Sequence, residues 1–319
     1  MAQSRPSFTA AMLGSTLLVM ARRFVLNAAR LVLRRPLHWR DNRIFWALLA
    51  HQSGLRRIGY VTHRPAEGEG AGAQALSMLI ARSLADRIGV PYAHTPFDRL
   101  QHVEGDPAAF AQQWEDLLGL GIGEISPADT AAPGLDTELL FCSDVYNRRV
   151  VQHLFDGISD MVPDLRKRYY RSHTPVTNPR VAVAIHVRRG DVTPHQNSYM
   201  WTPLGEVRQT IATISACLEK RGMPFDLTVI SQGTPADFEE LAGIDCQLIL
   251  DEPAAQSFAR MVEADVLVMA KSSYSYLAAL LCDGLVLYPD CNYPPQRNWL
   301  RLGQGLDAGQ LEARLRQPV

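Results

Sequence analysis

The chain is poor in lysine, in closely spaced cysteine and in long apolar runs, and it carries almost no excess charge. Only Lys167, Lys220 and Lys271 are lysines, so nearly all of the 32 basic side chains are arginine. The five cysteines (Cys142, Cys217, Cys246, Cys282 and Cys291) are far apart and odd in number. They form no CxxC pair and no Cys/His cluster at zinc spacing, which argues against a zinc module and a disulfide framework. They read as free thiols in a reducing compartment. The longest uncharged stretch, Pro6 to Ala21, has 16 residues interrupted by Ser and Thr, short of the roughly 20 apolar residues a membrane span needs. With 32 basic and 33 acidic side chains the net charge is -1, so no global field recruits nucleic acid.

What is present is ordinary globular composition over 319 residues, enough for two domains at about 150 residues each. The charge is unevenly placed: residues 1–40 hold seven arginines and no acid. The apolar stretch runs straight into Ala21-Arg22-Arg23-Phe24 without a small-residue cleavage site, so it is not read as a signal peptide or anchor. Arg22 to Arg35 mixes arginines with Phe24, Val25, Leu31 and Val32, a composition able to lie on an anionic membrane surface. A helical extension packed on the first domain, or sequence upstream of the true start, explains the same residues.

Downstream, strand and helix patterns alternate. Arg57 to Thr62 reads as a strand, Gly68 to Gly72 as a glycine loop, Ala75 to Ile88 as a helix and Val90 to Phe97 as extended chain, which is a βαβ opening. Residues 105–135 read as short helices with loops, Leu139 to Cys142 as a strand and 146–172 as helix. The turn-rich 173–179 segment is the expected domain boundary. The second half reads as strands at 181–187, 225–230, 246–250, 266–270 and 285–288, with helices at 202–220, 235–241, 254–263 and 274–281. Continuous apolar strands separated by helices indicate parallel sheets covered on both faces. Ligands of such sheets bind beyond the carboxyl ends of the strands.

Four strand ends carry candidate chemistry. In His186-Val187-Arg188-Arg189-Gly190-Asp191, an arginine leaving a buried strand suits bidentate phosphate binding; a structural pair from Arg188 or Arg189 to Asp191 is the plain alternative, and His186 reads equally as a core histidine. In Lys271-Ser272-Ser273-Tyr274-Ser275, hydroxyls and backbone N–H groups at a helix start form an anion site or a simple N-cap. The Gly68 to Gly72 loop lacks a dinucleotide or Walker fingerprint and reads as a close backbone approach to a sugar or phosphate, or as a surface turn. Ser231-Gln232-Gly233, with Asp251-Glu252 after the next strand, offers groups able to read a base or ribose.

Taken in order, the His186 to Asp191 segment, the Ser231 to Gly233 strand end and the segment from Ala264 through Ser272-Ser273-Tyr274 to Leu281 resemble the GDP-fucose-dependent fucosyltransferase superfamily. That superfamily includes α1,2-, α1,6- and protein O-fucosyltransferases, and the pattern is nearest to the bacterial, α1,2-like group. The glycine loop with Gln74 resembles a degenerate form of the Gly-x-Asn-Gln opening, with Ala73 in place of the asparagine. The resemblance spans about 57–97 and 181–290 and departs at Ser257, where several members carry an acid.

The resemblance implies an α/β, GT-B-like fold: two Rossmann-like domains with parallel sheets facing across a cleft. The expected divisions are a basic helical extension at 1–50, an acceptor-side domain at 51–175 and a donor domain at 176–319. It implies inverting, metal-independent transfer of fucose from GDP-fucose to a hydroxyl of a glycan or polysaccharide precursor, without a cofactor. Arg188 would hold the β-phosphate, and Ser272, Ser273 and Tyr274 would contact the phosphates. His186, Arg189, Ser231 and Gly233 complete the expected donor site. Asp191 would orient Arg188 or contact substrate, and Asp191 or His195 would take the acceptor proton. The alternatives are an inactive nucleotide-sugar or glycan-binding protein of the same fold, and a membrane-associated scaffold acting through residues 1–40. The expected location is cytoplasmic, peripheral to the inner face of a membrane.

Overall fold

A computed structural model of the protein describes residues 51, 54, 58–65, 68–126, 128–129, 138–142, 148–171, 173–174, 179–303 and 306–315. The basic extension, with its expected membrane contact, and most of the 173–179 boundary lie outside the described residues. The chain divides into two compact units, Met1–Ile58 and Gly59–Val319, and the second holds both sheets.

The smaller sheet has three parallel strands in the order β2-β1-β3, with β1 at Tyr60–Arg64, β2 at Tyr92–Ala93 and β3 at Glu138–Cys142. Helix α1 (Ala71–Ile88) links β1 to β2, α2 (Pro107–Leu118) lies between β2 and β3, and α3 (Arg148–Tyr169) follows. Helix α1 starts four residues before its apolar pattern does, because Gly70 in extended backbone is its N-cap and the glycine loop supplies its first turn. Gly89, left-handed at φ 69°, ends it, as glycine does at many helix termini. Helix α2 is bounded by Asp106, whose carboxylate accepts from the Ala108 and Ala109 N–H groups, and by left-handed Gly119.

The larger sheet has six parallel strands: β4 (Val181–His186), β5 (Phe225–Ser231), β6 (Gln247–Leu250), β7 (Val266–Val268), β8 (Leu285–Tyr288) and β9 (Leu300–Arg301). Their order is β6-β5-β4-β7-β8-β9. Counted from β4 this is 3-2-1-4-5-6, the order of a dinucleotide-binding α/β fold, whose crevice opens where the order reverses. Here that point lies between β4 and β7, paired at Ile185 and Val268. Helices α4 (Leu204–Lys220), α5 (Ala254–Val262), α6 (Ser273–Leu281) and α7 (Ala308–Arg314) connect or follow these strands. Val183, Ile185, Val229, Val266 and Leu287 from the strands pack with Ile211 and Ile214 of α4 in one apolar core. The expectation of two parallel sheets in an α/β fold is met.

An aromatic cluster joins the two halves. Trp114 on α2 meets Phe258 on α5 edge-on with ring centroids 5.3 Å apart, and Tyr274 on α6 at 6.1 Å. Such pairs add stability beyond the area they bury. No helix among the described residues is long and apolar enough to cross a membrane. Cys217 and Cys282 are buried free thiols, whereas Cys246 and Cys291 are only half-buried.

Two histidines, His63 buried and His186 half-buried, set an acid limit. His63 on β1 is 1% exposed and neither ring nitrogen has a hydrogen-bond partner; burial, and then His94, pull its pKa from 6.5 to about 4. At the end of β4, burial and then Arg188 pull His186 to about 3. The unfolded chain protonates both near 6.5, so it binds more protons than the folded protein below that pH. The stability is therefore whole above pH 6.5 and falls by up to about 1.4 kcal/mol per pH unit per ring as acid is added towards pH 4. Urea unfolding midpoints across this window should fall with pH, and His63→Phe should remove part of the slope; a flat profile would contradict the assignment.

Candidate functional site

A cavity of about 910 Å³ is walled by the segments leaving β1, β4, β5, β6, β7 and β8. It lies at the reversal point of the larger sheet and faces the glycine loop of the smaller one. All four described non-glycine residues with positive φ, Arg99, His102, Asn197 and Asp251, lie in or beside the segments that wall it. Backbone strain of this kind concentrates at functional sites.

Two helix N-termini meet at the cavity. The first turn of α1 packs so closely on that of α6 that a Cβ on Gly72 would lie 2.5 Å from both Cα and N of Tyr274. The close approach made by the glycine loop is thus to another helix. At α6, Ser272 is buried and its hydroxyl oxygen accepts from the Ser275 N–H at 3.1 Å, so it is an N-cap. The N–H groups of Ser273 and Tyr274 have no partner among the described residues, and neither do those of Ala71 and Gly72. Four free N–H donors at the positive ends of two helix dipoles are groups to which an anion can bind.

Beside it, the Arg188 guanidinium grips Asp191 side-on, with Nε donating to Oδ1 at 2.9 Å and Nη2 to Oδ2 at 2.7 Å. The pair expected as the plain alternative exists, and it leaves Nη1 without a hydrogen bond among the described residues. Burial pushes the Asp191 carboxyl up, but its hydrogen bond and charge contact with Arg188 outweigh this and hold it below the ordinary carboxylate value. The two arginines separate in role. Arg189 is 7% exposed, lies 3.6 Å over the Trp201 ring and donates to the carbonyls of Arg188 and Thr202. Burial pulls its pKa down.

The other expected residues divide. His186 walls the cavity, neutral, edge-on to Tyr274 at 5.6 Å and with Nδ1 unpartnered. Ser231 also walls it, and its hydroxyl donates to the Val187 carbonyl at 2.6 Å, tying β5 to the end of β4. Tyr274 gives its phenolic hydrogen to the Ala254 carbonyl at 2.6 Å, which leaves its backbone N–H as the group offered to a ligand. Gly233, at φ 118°, donates to the Asp251 carboxylate and is outside the cavity wall. His195 is exposed in the turn after Asp191, its N–H bonded to Thr193 Oγ1, and is likewise outside that wall.

Three further features line the cavity, of which only the 98–104 loop escapes a reading along the chain. Glu252 walls the cavity and accepts from Ser257 Oγ at 3.3 Å and from Arg260 Nε at 3.0 Å, so a carboxylate occupies the neighbourhood where position 257 itself has none. The 98–104 loop, whose Gln101 to Glu104 line the opposite wall, is held by buried Gln74, which donates from Nε2 to the Asp98 carbonyl at 2.7 Å and accepts from the Asp98 N–H. Lys271, one of the three lysines, also lines the cavity. Gln74 and Ser257 were visible signals; the loop's partner was not, because the contact spans more than twenty residues.

Among the described residues no group of three or more His, Cys, Asp or Glu side chains could hold a metal ion. No protein-family model matches the chain, and comparison with curated proteins gives no match. Among solved structures, the chain is similar to the Escherichia coli heptosyltransferase WaaC with ADP, at 11% identity over 80% of this chain and 98% of that one, with a TM-score of 0.41. It is also similar to the fucosyltransferase NodZ from Bradyrhizobium, at 13% identity over 76% and 98%, with a TM-score of 0.38. The structure of NodZ α-1,6-fucosyltransferase soaked with GDP-fucose matches at 10% over 75% and 98%, with a TM-score of 0.34.

Proposed function

We propose that the protein is a GT-B-like glycosyltransferase that uses a nucleotide-sugar donor, and specifically that it transfers fucose from GDP-fucose, with inversion, to a hydroxyl of a glycan. The observation that carries this reading is the convergence of two helix N-termini, with four free N–H groups, on one cavity beside Arg188. A diphosphate spanning that point is bound by the first turns of α1 and α6 together, with Arg188 Nη1 as a further donor. Asp191 acts by orienting Arg188. Glu252 already accepts from Arg260 and Ser257, and the remaining lone pairs of its carboxylate suit the donor N1–H and N2–H₂ groups of guanine, which favours GDP over ADP.

In the transfer step the acceptor oxygen bonds to the anomeric carbon while the bond from that carbon to the β-phosphate oxygen breaks, the electron pair leaving with the phosphate. Charge grows on the departing diphosphate, where fixed N–H dipoles and a guanidinium stabilise it most. The acceptor proton passes to His102, an exposed ring on the opposite wall; Asp191 is poorly suited to take it because both its oxygens are bonded to Arg188.

The test is calorimetry of the intact protein with GDP, GDP-fucose, GDP-mannose, UDP-glucose and ADP. The guanine nucleotides should bind, and bind more tightly than ADP and UDP-glucose. Release of GDP that depends on a glycan acceptor then separates a transferase from a protein that only binds. Absence of binding to all five would remove the reading.

A further inference from the structure

We infer that Lys271 holds the distal phosphate of a nucleoside diphosphate in this cavity; the inference rests on the donor reading above and names the charge that Arg188 does not supply. The reason is a charge balance around the cavity wall. Arg188 is matched by Asp191 at 2.7 Å. Glu252 is matched by Arg260 at 2.9 Å, and Asp290 by Arg301 at 3.3 Å. Glu104 accepts from the Ala254 N–H at the start of α5 at 2.9 Å. Arg189 is covered by Trp201 and occupied by two carbonyls.

That leaves Lys271. Among the described residues its ammonium has no carboxylate partner, and its one hydrogen bond is a long one, 3.4 Å, to the Trp201 carbonyl. An ammonium carries three donors, so two remain free. A half-buried cation without a counterion costs solvation that an arriving anion recovers.

Position adds to charge. Lys271 lies three residues beyond the end of β7, the strand beside β4 at the reversal point, and immediately precedes the Ser272 N-cap. A phosphate on the free N–H groups of Ser273 and Tyr274 therefore lies next to it in the chain and in the fold. The backbone donors and the Arg188–Asp191 pair bring no net formal charge to that point; the ammonium brings one. A diphosphate carries one more negative charge than a monophosphate and alone has a distal phosphate to place beside the ammonium, so it gains most.

The experiment is calorimetry of the full chain with GDP, GMP and guanosine, using wild type, Lys271→Met, Lys271→Gln and Lys271→Arg, with melting temperatures to report folding. In the wild type, GDP should bind at least about tenfold more tightly than GMP. Both neutral variants should lose about tenfold in GDP affinity, the size of a charge-assisted hydrogen bond, while guanosine stays within about twofold. Lys271→Arg should restore most of the preference for GDP over GMP. A purely structural lysine would weaken all three ligands in parallel, and that result, or GDP affinity unchanged in Lys271→Met, overturns the assignment. Failure of wild type to bind GDP at all would instead remove the donor reading on which the assignment rests.

Discussion

Arg188→Ala should abolish measurable donor turnover and weaken GDP binding by about 100-fold or more. Two losses combine in this one change. The guanidinium contributes a charge-assisted hydrogen bond to the phosphates, worth about 1.5–3 kcal/mol. Its removal also strands Asp191, whose two oxygens both depend on Arg188, and places an uncompensated carboxylate beside the diphosphate. The second loss predicts a non-additive pattern: Arg188→Ala combined with Asp191→Ala should bind GDP better than Arg188→Ala alone. Asp191→Asn alone should cost less, about tenfold, because the cation remains but its plane is no longer fixed. Arg188→Lys should not rescue turnover, since an ammonium cannot make the side-on grip. Calorimetry with GDP and steady-state release of GDP measure all four variants. If Arg188→Ala binds GDP within threefold of wild type, the phosphate does not contact Arg188 and the donor assignment is wrong.

The larger sheet is legible in the sequence because its strands are buried on both faces. Val181 to Val187 and Leu285 to Tyr288 are near-continuous apolar runs that admit little alternative, and each falls within about a residue of the observed strand. Strand β9, with two residues, and the short helix α7 carry too little pattern to stand out. The start of α1 was hidden for a different reason. Gly70 and Gly72 have poor helical propensity, and the turn forms there because it packs on α6, a contact spanning about two hundred residues of chain. The site divides the same way. Arg188 and the Ser272 to Tyr274 segment announce themselves as polar residues immediately after buried strands. What they touch does not: the stacking of Arg189 on Trp201, the meeting of Glu252 with Ser257, and the anchoring of the 98–104 loop by Gln74 are tertiary facts. His195 lies close to Asp191 in sequence and yet is turned out to solvent, because chain proximity beyond a strand end says little about direction once the chain turns.

Gly72→Ala should destabilise the protein and remove GDP binding together, although alanine is the better helix former. Gly72 has no positive φ, so the change meets no backbone strain. In an open helix it would gain about 1 kcal/mol. Here the added methyl would lie 2.5 Å from Tyr274 Cα and N and 2.8 Å from the Ser273 carbonyl carbon. All three are backbone atoms, and no side-chain rotation relieves them. The two helix starts must separate, at an overpacking cost of about 1–3 kcal/mol, and the net loss should lower the melting temperature by several degrees. Separation has a second effect that stability does not report. The free N–H groups of Ala71 and Gly72 move away from those of Ser273 and Tyr274, so a diphosphate that uses both sets loses one of them. Gly205→Ala is the control: that glycine lies in the first turn of α4, exposed, with nothing within 4 Å of the added carbon, and neither stability nor GDP affinity should fall. The informative variant is thus one that stays folded at the assay temperature. If Gly72→Ala is folded there and binds GDP as the wild type does, the diphosphate does not bridge the two helices, and the anion site belongs to α6 and the larger sheet alone.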